Sequence, residues 1–424
     1  MSSDSSSFSS ATQAPVGADV LVDESEGTRV RLADRVVTVA AVRQHPGRYT
    51  GLFTRARNEI GYAVCLCRSD VLVRLVIRCL GGRYHLATWP SSGHQHAPDC
   101  AWYRSHSALS GRGEHSAAII ASDDSTSIRL STPLLVRGAS AIPAKDRATP
   151  PETTAVDTRS AIGPLALLHF LWESARLHTW VPRARPRTWG DCRAVLIEQA
   201  RACRINARAG IEALWIPPAF RREQAEANSA AWARFLTRLA PAGRTRLRGL
   251  VLGEIRSVEP SQYGERIHLA HQRGGLFATT PLMERVRRSY PHVFGKSVAA
   301  SPRRQIVLCV IERSRGGHAK VIALAAMLTT QTYVPVDSMH EADMADALVV
   351  AGRTFVKPLC YEGQAVFPDF VLIDSDPETY VEVWGVTGRD SYEKRKRAKQ
   401  KIYHDTGRRL LEWDVAEPLP ELSL

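Results

Sequence analysis

The chain has 424 residues, 44% apolar and 23% charged, with 56 Lys and Arg against 43 Asp and Glu. That length exceeds one ordinary domain, and the composition excludes a collagen, a coiled-coil rod, a disulfide miniprotein and a wholly disordered chain. The net charge of +13 points to a polyanionic partner, nucleic acid first.

Residues 1–17 are Ser-rich and almost uncharged, and are expected to form a disordered tail. They show no basic stretch followed by an apolar one, so no secretory signal is expected. No apolar run approaches the roughly 18 residues of a membrane span. A cytoplasmic protein with no membrane partner is the expectation. In residues 18–60 the alternation through Val30, Leu32, Val36, Val37 and Val39 predicts N-terminal strands.

Four of the eight cysteines, Cys65, Cys67, Cys79 and Cys100, fall within one short stretch. Without a secretion signal, a metal site fits them better than a disulfide framework. Cys65-Leu66-Cys67 opens a β-rich segment, and His96-Ala97-Pro98-Asp99-Cys100 closes it. Zinc takes four soft or borderline ligands on a tetrahedron, commonly as two short-spaced pairs. Cys65, Cys67, His96 and Cys100 therefore predict a structural zinc site in a hairpin module spanning 61–106. His94 is an alternative to His96, and Cys79 to one thiolate. No H-x-E or H-E-x-x-H pattern accompanies the set, which argues against a catalytic zinc. Cys192, Cys203 and Cys309 read as packed thiols.

Residues 107–160 carry Gly, Ser, Pro and Thr in quantity and predict an extended linker. A middle region follows over 161–300, with helices and a β-hairpin. Leu165, Leu168, Leu171 and Trp172 follow Gly163-Pro164 at helical spacing, and a second helix runs from Trp189. Arg183, Arg185 and Arg187 lie in the turn between them and are candidate nucleic-acid contacts, against the plainer reading of a solvated Arg face. The hairpin is expected over 246–258 and 265–271.

From 301 to 424 strands and helices alternate. Residues 306–311 read as an apolar strand and 319–328 as a helix. Then comes a helix from His340, strands at 355–359, 367–373 and 379–384, a basic helix from Asp390, and a last strand at 409–413. Asp369 opens one strand behind Pro368, and Glu382 sits on the next. A hairpin can bring both carboxylates to one face, where hard oxygen donors suit Mg²⁺. On the basic helix Tyr392, Lys396, Lys399 and Tyr403 share one face. Lys394, Arg395, Arg397 and Lys401 add charge for phosphate contact.

This αβββαβ order, with Pro-Asp and then Glu, resembles the PD-(D/E)xK nuclease fold over about Pro335 to Asp414. The resemblance implies Asp369 and Glu382 as ligands of a catalytic Mg²⁺, and Glu341 as the assisting acid of the first core helix. It implies a Lys two residues after the Glu, but that position is Trp384. Some members of the fold carry that Lys on the neighbouring helix, which makes Lys396 and Lys399 the candidates. The alternative is a decayed site in a catalytically inactive nucleic-acid-binding or adaptor protein of a mobile element.

The whole chain resembles a bacterial family known as a numbered domain of unknown function (eleven seventy-three), frequent on plasmids and integrative elements. The matching stretches are Cys65-Leu66-Cys67, Gly93 to Cys100, Leu167-Leu168-His169-Phe170-Leu171-Trp172-Glu173, Gly253-Glu254-Ile255 and Phe355-Val356-Lys357-Pro358-Leu359. Together these readings describe an α/β multidomain protein. It has a zinc-binding hairpin module, a helical middle and a restriction-endonuclease-like core. The expected activity is a Mg²⁺-dependent DNA endonuclease of a mobile element or defence system.

Overall fold

A computed structural model of the protein describes residues 28–80, 82–89, 92–104, 110–111, 115, 117–122, 125–137, 161–243, 245–299, 301–360, 367–385 and 390–422. The expected tail over 1–17 and most of the expected linker lie outside them.

The N-terminal part is an antiparallel sheet of β1 (Arg29–Leu32), β2 (Arg35–Thr38), β3 (Ala63–Cys65), β4 (Val73–Leu80) and β5 (Arg83–Thr88), in the order β2-β1-β3-β4-β5. Alternation sorts its two faces. Val30, Leu32, Val73, Leu75 and Ile77 turn inward and are buried with Phe53 and Ala56. Phe53 belongs to α2 (Thr50–Arg55), which follows α1 (Val39–Gln44). α1 starts where Thr38 Oγ1 accepts from the Ala41 amide.

Next come β6 (Ile119–Ala121), β7 (Thr126–Ile128) and β8 (Leu135–Arg137). α3 (Pro164–Ser174) opens with a proline, whose fixed φ suits a first helical turn. Ala166 to Trp172 are all buried, so α3 is an interior helix. β9 (Thr179–Trp180) separates it from α4 (Trp189–Ala202), which a Thr188–Asp191 capping box begins. β10 (Cys203–Ile205), β11 (Arg208–Ala209), α5 (Gly210–Ala213), β12 (Leu214–Trp215) and α6 (Ala225–Arg238) complete this stretch. β6, β7, β10 and β11 form a small sheet.

The largest sheet is built on β13 (Thr245–Ser261), β14 (Gly264–Leu269) and β15 (Leu276–Ala278). After α7 (Thr280–Ser289), α8 (Pro291–Phe294) and α9 (Lys296–Ala299), it continues with β16 (Arg304–Arg313), β17 (Ala319–Thr329) and β18 (Pro335–Val336). The stretch 319–328, read from sequence as a helix, is strand β17. Its alanines and leucines favour helix, but it pairs antiparallel with β16 from Arg313↔Ala319 to Arg304↔Thr329, and tertiary pairing overrides a weak propensity. β13 pairs with β16 from Arg248↔Glu312 to Glu254↔Ile306, so this sheet runs across position 300. Val251, Val307 and Cys309 enter one core and Leu250, Leu252, Ile306 and Leu308 another. Burial on both faces explains the unbroken apolar run of β16.

The C-terminal order is α10 (Met339–Val350), β19 (Phe355–Val356), β20 (Phe370–Leu372), β21 (Thr379–Trp384), α11 (Asp390–Asp405) and β22 (Arg409–Asp414). The sheet order is β22-β21-β20-β19-β9. β19, β20 and β21 run antiparallel, and β22 runs parallel to β21. β9 is contributed from the middle of the chain.

Candidate functional site

Two clusters of chemistry-bearing side chains stand out. The first sits at the end of the N-terminal sheet. Cys65 ends β3, Cys67 follows two residues on, and a turn over 93–95 delivers His96 and then Cys100. Cys65 Sγ and Cys100 Sγ are 3.5 Å apart. His96 Nδ1 is 3.5 Å from Cys67 Sγ and 3.4 Å from Cys100 Sγ. All four donor atoms lie within 4.8 Å of one another. Tetrahedral bonds of about 2.3 Å put sulfur corners about 3.8 Å apart, so the set can hold a metal ion such as zinc. The sulfur separation is far beyond a disulfide bond of about 2.0 Å. The hydrogen bond between the two sulfurs draws Cys100 down to about 4 and, with burial, pushes Cys65 up. Burial pushes Cys67 up. His96, not the exposed His94, completes the set, and Cys79 stays in β4 opposite Tyr84.

This cluster is tied to the rest of the chain. Arg176, just past α3, donates to the carbonyls of Cys100 and of Pro98, the latter at 3.0 Å. Arg104 donates to Ser174 O at 3.2 Å. Between them Tyr103 enters a buried group with Val356, Val371, Ile373, Tyr380 and Tyr403 on the C-terminal sheet.

The second cluster lies on that sheet. Glu341 is the third residue of α10, and its position follows from the cap. The Ser338 hydroxyl accepts from Glu341 N at 3.1 Å, and Glu341 Oε2 accepts from Asp337 N at 2.9 Å. Lys357, just past β19, reaches Glu341 at 2.7 Å and Asp337 at 2.8 Å. The Lys357 side chain is 3% exposed, whereas that of Asp337 is 69% exposed. Burial alone would depress the Lys357 ammonium, but Asp337, Glu341 and Asp369 outweigh it and hold the group well above its usual range. One ammonium cannot neutralise three carboxylates. Burial accordingly pushes Glu341 up to about 7 and Asp369 up to about 6, against the pull of Lys357.

Asp369 precedes β20. Its amide donates to Val381 O at 3.0 Å, and its Oδ2 accepts from Val383 N at 2.7 Å. Those bonds seat it beside Glu382 of β21, which is 1% exposed. Lys399 of α11 donates to both Glu382 oxygens, at 2.9 and 2.8 Å, and to Phe367 O at 2.9 Å. The Tyr403 hydroxyl also donates to Glu382. The helical spacing thus puts Lys399 and Tyr403 on the acid. Lys396, one turn earlier, turns away to Asp414 at 3.4 Å and lies 5.2 Å from the Trp384 ring centre. A cavity of about 320 Å³ opens on that side, lined by Trp384, Lys396, Gln400, Glu412 and Trp413 among others, and none of Asp369, Glu382 or Lys399 borders it.

The basic residues divide. Lys394, Arg397 and Lys401 are exposed on α11, and the side chain of Arg395 lies outside the described set. Arg183 is exposed, and Arg185 makes a two-point pair with Asp191 at 2.8 Å. Arg187 is buried and donates to Leu177 O at 2.7 Å and Thr179 O at 2.6 Å, so it fastens the chain instead of facing a phosphate. Cys192, Cys203 and Cys309 are buried, and burial raises the first two to about 12.

Lys357 and Asp337 were missed from sequence. Flanked by Phe355, Val356 and Pro358, Lys357 reads as an ordinary strand-end lysine. The signal was its place in a segment with no other polar side chain, where a lysine needs buried partners.

A family model described as protein of unknown function (DUF1173) matches residues 41–416, and the chain belongs to that family. No curated protein and no solved structure matches it. Among the described residues, no helix is long and apolar enough to cross a membrane.

Proposed function

We propose, for this member of a family of unknown function, a Mg²⁺-dependent DNA endonuclease of the PD-(D/E)xK type whose lysine has moved from strand to helix. The observation that carries the reading is Lys399, which reaches both oxygens of Glu382 from α11 and supplies the ammonium that Trp384 cannot. Asp337, Glu341, Asp369 and Glu382 set four carboxylates against two ammoniums, Lys357 and Lys399. Fully ionised, that leaves two negative charges, a balance that suits a divalent cation.

Asp369 and Glu382 would hold the ion. Mg²⁺ often takes only one or two protein carboxylates and leaves its other positions to water and phosphate. The ion would neutralise charge on the phosphodiester and make a water more acidic. Lys399, held by Phe367 O, orients the attacking water. Tyr403 keeps Glu382 fixed, and Lys357 keeps Glu341 in place. The Cys/His cluster would be a structural zinc that braces Tyr103 against Tyr380 and Tyr403. Lys394, Arg397 and Lys401 would contact the DNA backbone. The mobile-element setting implied by the family resemblance belongs to this reading.

A second reading is a non-catalytic nucleic-acid-binding protein. It is favoured by Glu382 being fully engaged by Lys399 and Tyr403, as in a structural ion pair. Nicking of supercoiled plasmid with Mg²⁺ separates the two. Cleavage by the native chain and loss of about a hundredfold or more in Asp369→Asn and in Glu382→Gln are expected. Equal cleavage by all three would remove the assignment.

A further inference from the structure

The N-terminal sheet has a second face that the zinc site does not use. Its inner face is covered by Phe53 and Ala56 of the helical layer. On the outer face, cross-strand pairing sets up one row. Val36 lies opposite Arg31, Arg31 opposite Val64, and Val64 opposite Arg74. Trp89, one residue past the Leu75↔Thr88 pair, extends the row to the far edge. Arg31 and Arg74 are exposed, Val36 is 51% exposed, and Trp89 is half-buried. Tyr62 adjoins the row. Its ring meets Trp89 edge-on at 6.2 Å, and the Arg74 guanidinium lies 4.7 Å from its centre and 5.8 Å from that of Trp89.

The charge of this module is one-sided. Residues 28–104 hold twelve arginines, no lysine and four acids. Two of the acids, Asp34 and Asp70, are already engaged by Arg55 and Arg68. Arginine is the cation that both pairs with phosphate in a fork and stacks on rings. A sheet face with half-buried aromatic rings beside an arginine, and a second arginine further along the row, offers stacking surface to unpaired bases and charge to the backbone that joins them. A duplex, whose bases are stacked inside, can use only the charge.

We propose that the row Arg31, Val64, Arg74, Trp89, with Tyr62, binds single-stranded DNA. The choice of DNA over RNA rests on the nuclease reading; the binding itself does not. Fluorescence anisotropy tests it with labelled 20-nucleotide DNA, the same sequence as RNA, and the DNA duplex, all without added Mg²⁺ so that cleavage plays no part. The native chain is expected to bind the DNA strand at least tenfold more tightly than the duplex. Arg31→Glu and Arg74→Glu should each weaken it about tenfold and flatten the salt dependence by about 0.7 for each phosphate no longer neutralised. Trp89→Ala should cost about fivefold or more, and Trp89→Phe should restore most of it. Arg48→Glu, an equal charge change on the opposite layer, should stay within about threefold. Native affinity in both arginine variants, equal loss in Arg48→Glu, tighter binding of duplex, or tighter binding of RNA would each overturn the proposal. Failure of plasmid cleavage would leave these outcomes unaffected.

Discussion

The Cys/His cluster and the carboxylate–lysine cluster differ in how they are held together. In the first, three sulfurs and one ring nitrogen converge within 4.8 Å, with the donors facing one another. In the second, each acid is met by a cation or an amide: Glu341 by Lys357, Glu382 by Lys399, and Asp369 by the Val383 amide. The first arrangement could hold a metal ion at its centre. The second is self-supporting, and an ion would adjust it. Metal removal should therefore act on folding in one region and on chemistry in the other.

The largest expected effect follows at the Cys/His cluster. Structural zinc contributes an apparent binding energy of about 10–16 kcal/mol at pH 7. Chelation, or Cys65→Ser with Cys100→Ser, should unfold residues 28–104 and release about one zinc per chain. Metal analysis with limited proteolysis checks this. A metal-free chain that stays protease-resistant there would erase the contrast.

In the carboxylate cluster the large loss comes from breaking a pair. Glu341→Ala would strip a buried partner from Lys357 and should cost about 3–5 kcal/mol in denaturant unfolding. Glu341→Gln, which keeps the shape and a hydrogen-bond acceptor, should cost less. If both unfold at the native midpoint, the cluster is not self-supporting.

A smaller effect is expected at the exposed rim. Lys394→Ala should lower duplex DNA affinity modestly and reduce the salt slope by about 0.9, with folding unchanged. An unchanged salt slope would take α11 out of the DNA contact surface.

The same contrast governs what could be read from the sequence. The Cys/His cluster was legible because Cys65 to Cys100 is one short stretch around a hairpin, where spacing stands in for geometry. Choosing His96 over His94 still needed the turn that buries one ring and exposes the other. In the C-terminal part the order of elements was legible from apolar periodicity, and so was the helix face with Lys399 and Tyr403. The choice of Lys399 over Lys396 was not, because it depends on how α11 lies across β21. Lys357 lies on a different element from Asp337 and Glu341, and only packing unites them. Strand β17 reads as a helix because its residues, Lys320 and Thr329 aside, are apolar on both faces, which leaves no clear period to separate strand from buried helix. The buried role of Arg187 was hidden for a similar reason: composition records a charge and not its partners.

The most direct test is Mg²⁺-dependent plasmid cleavage by Lys399→Ala and Lys396→Ala, two lysines one turn apart on the same helix. A loss of about a hundredfold or more is expected for Lys399→Ala, with Lys396→Ala within about threefold of the native rate. Equal rates in the two variants would contradict a catalytic centre built on Glu382 and Lys399.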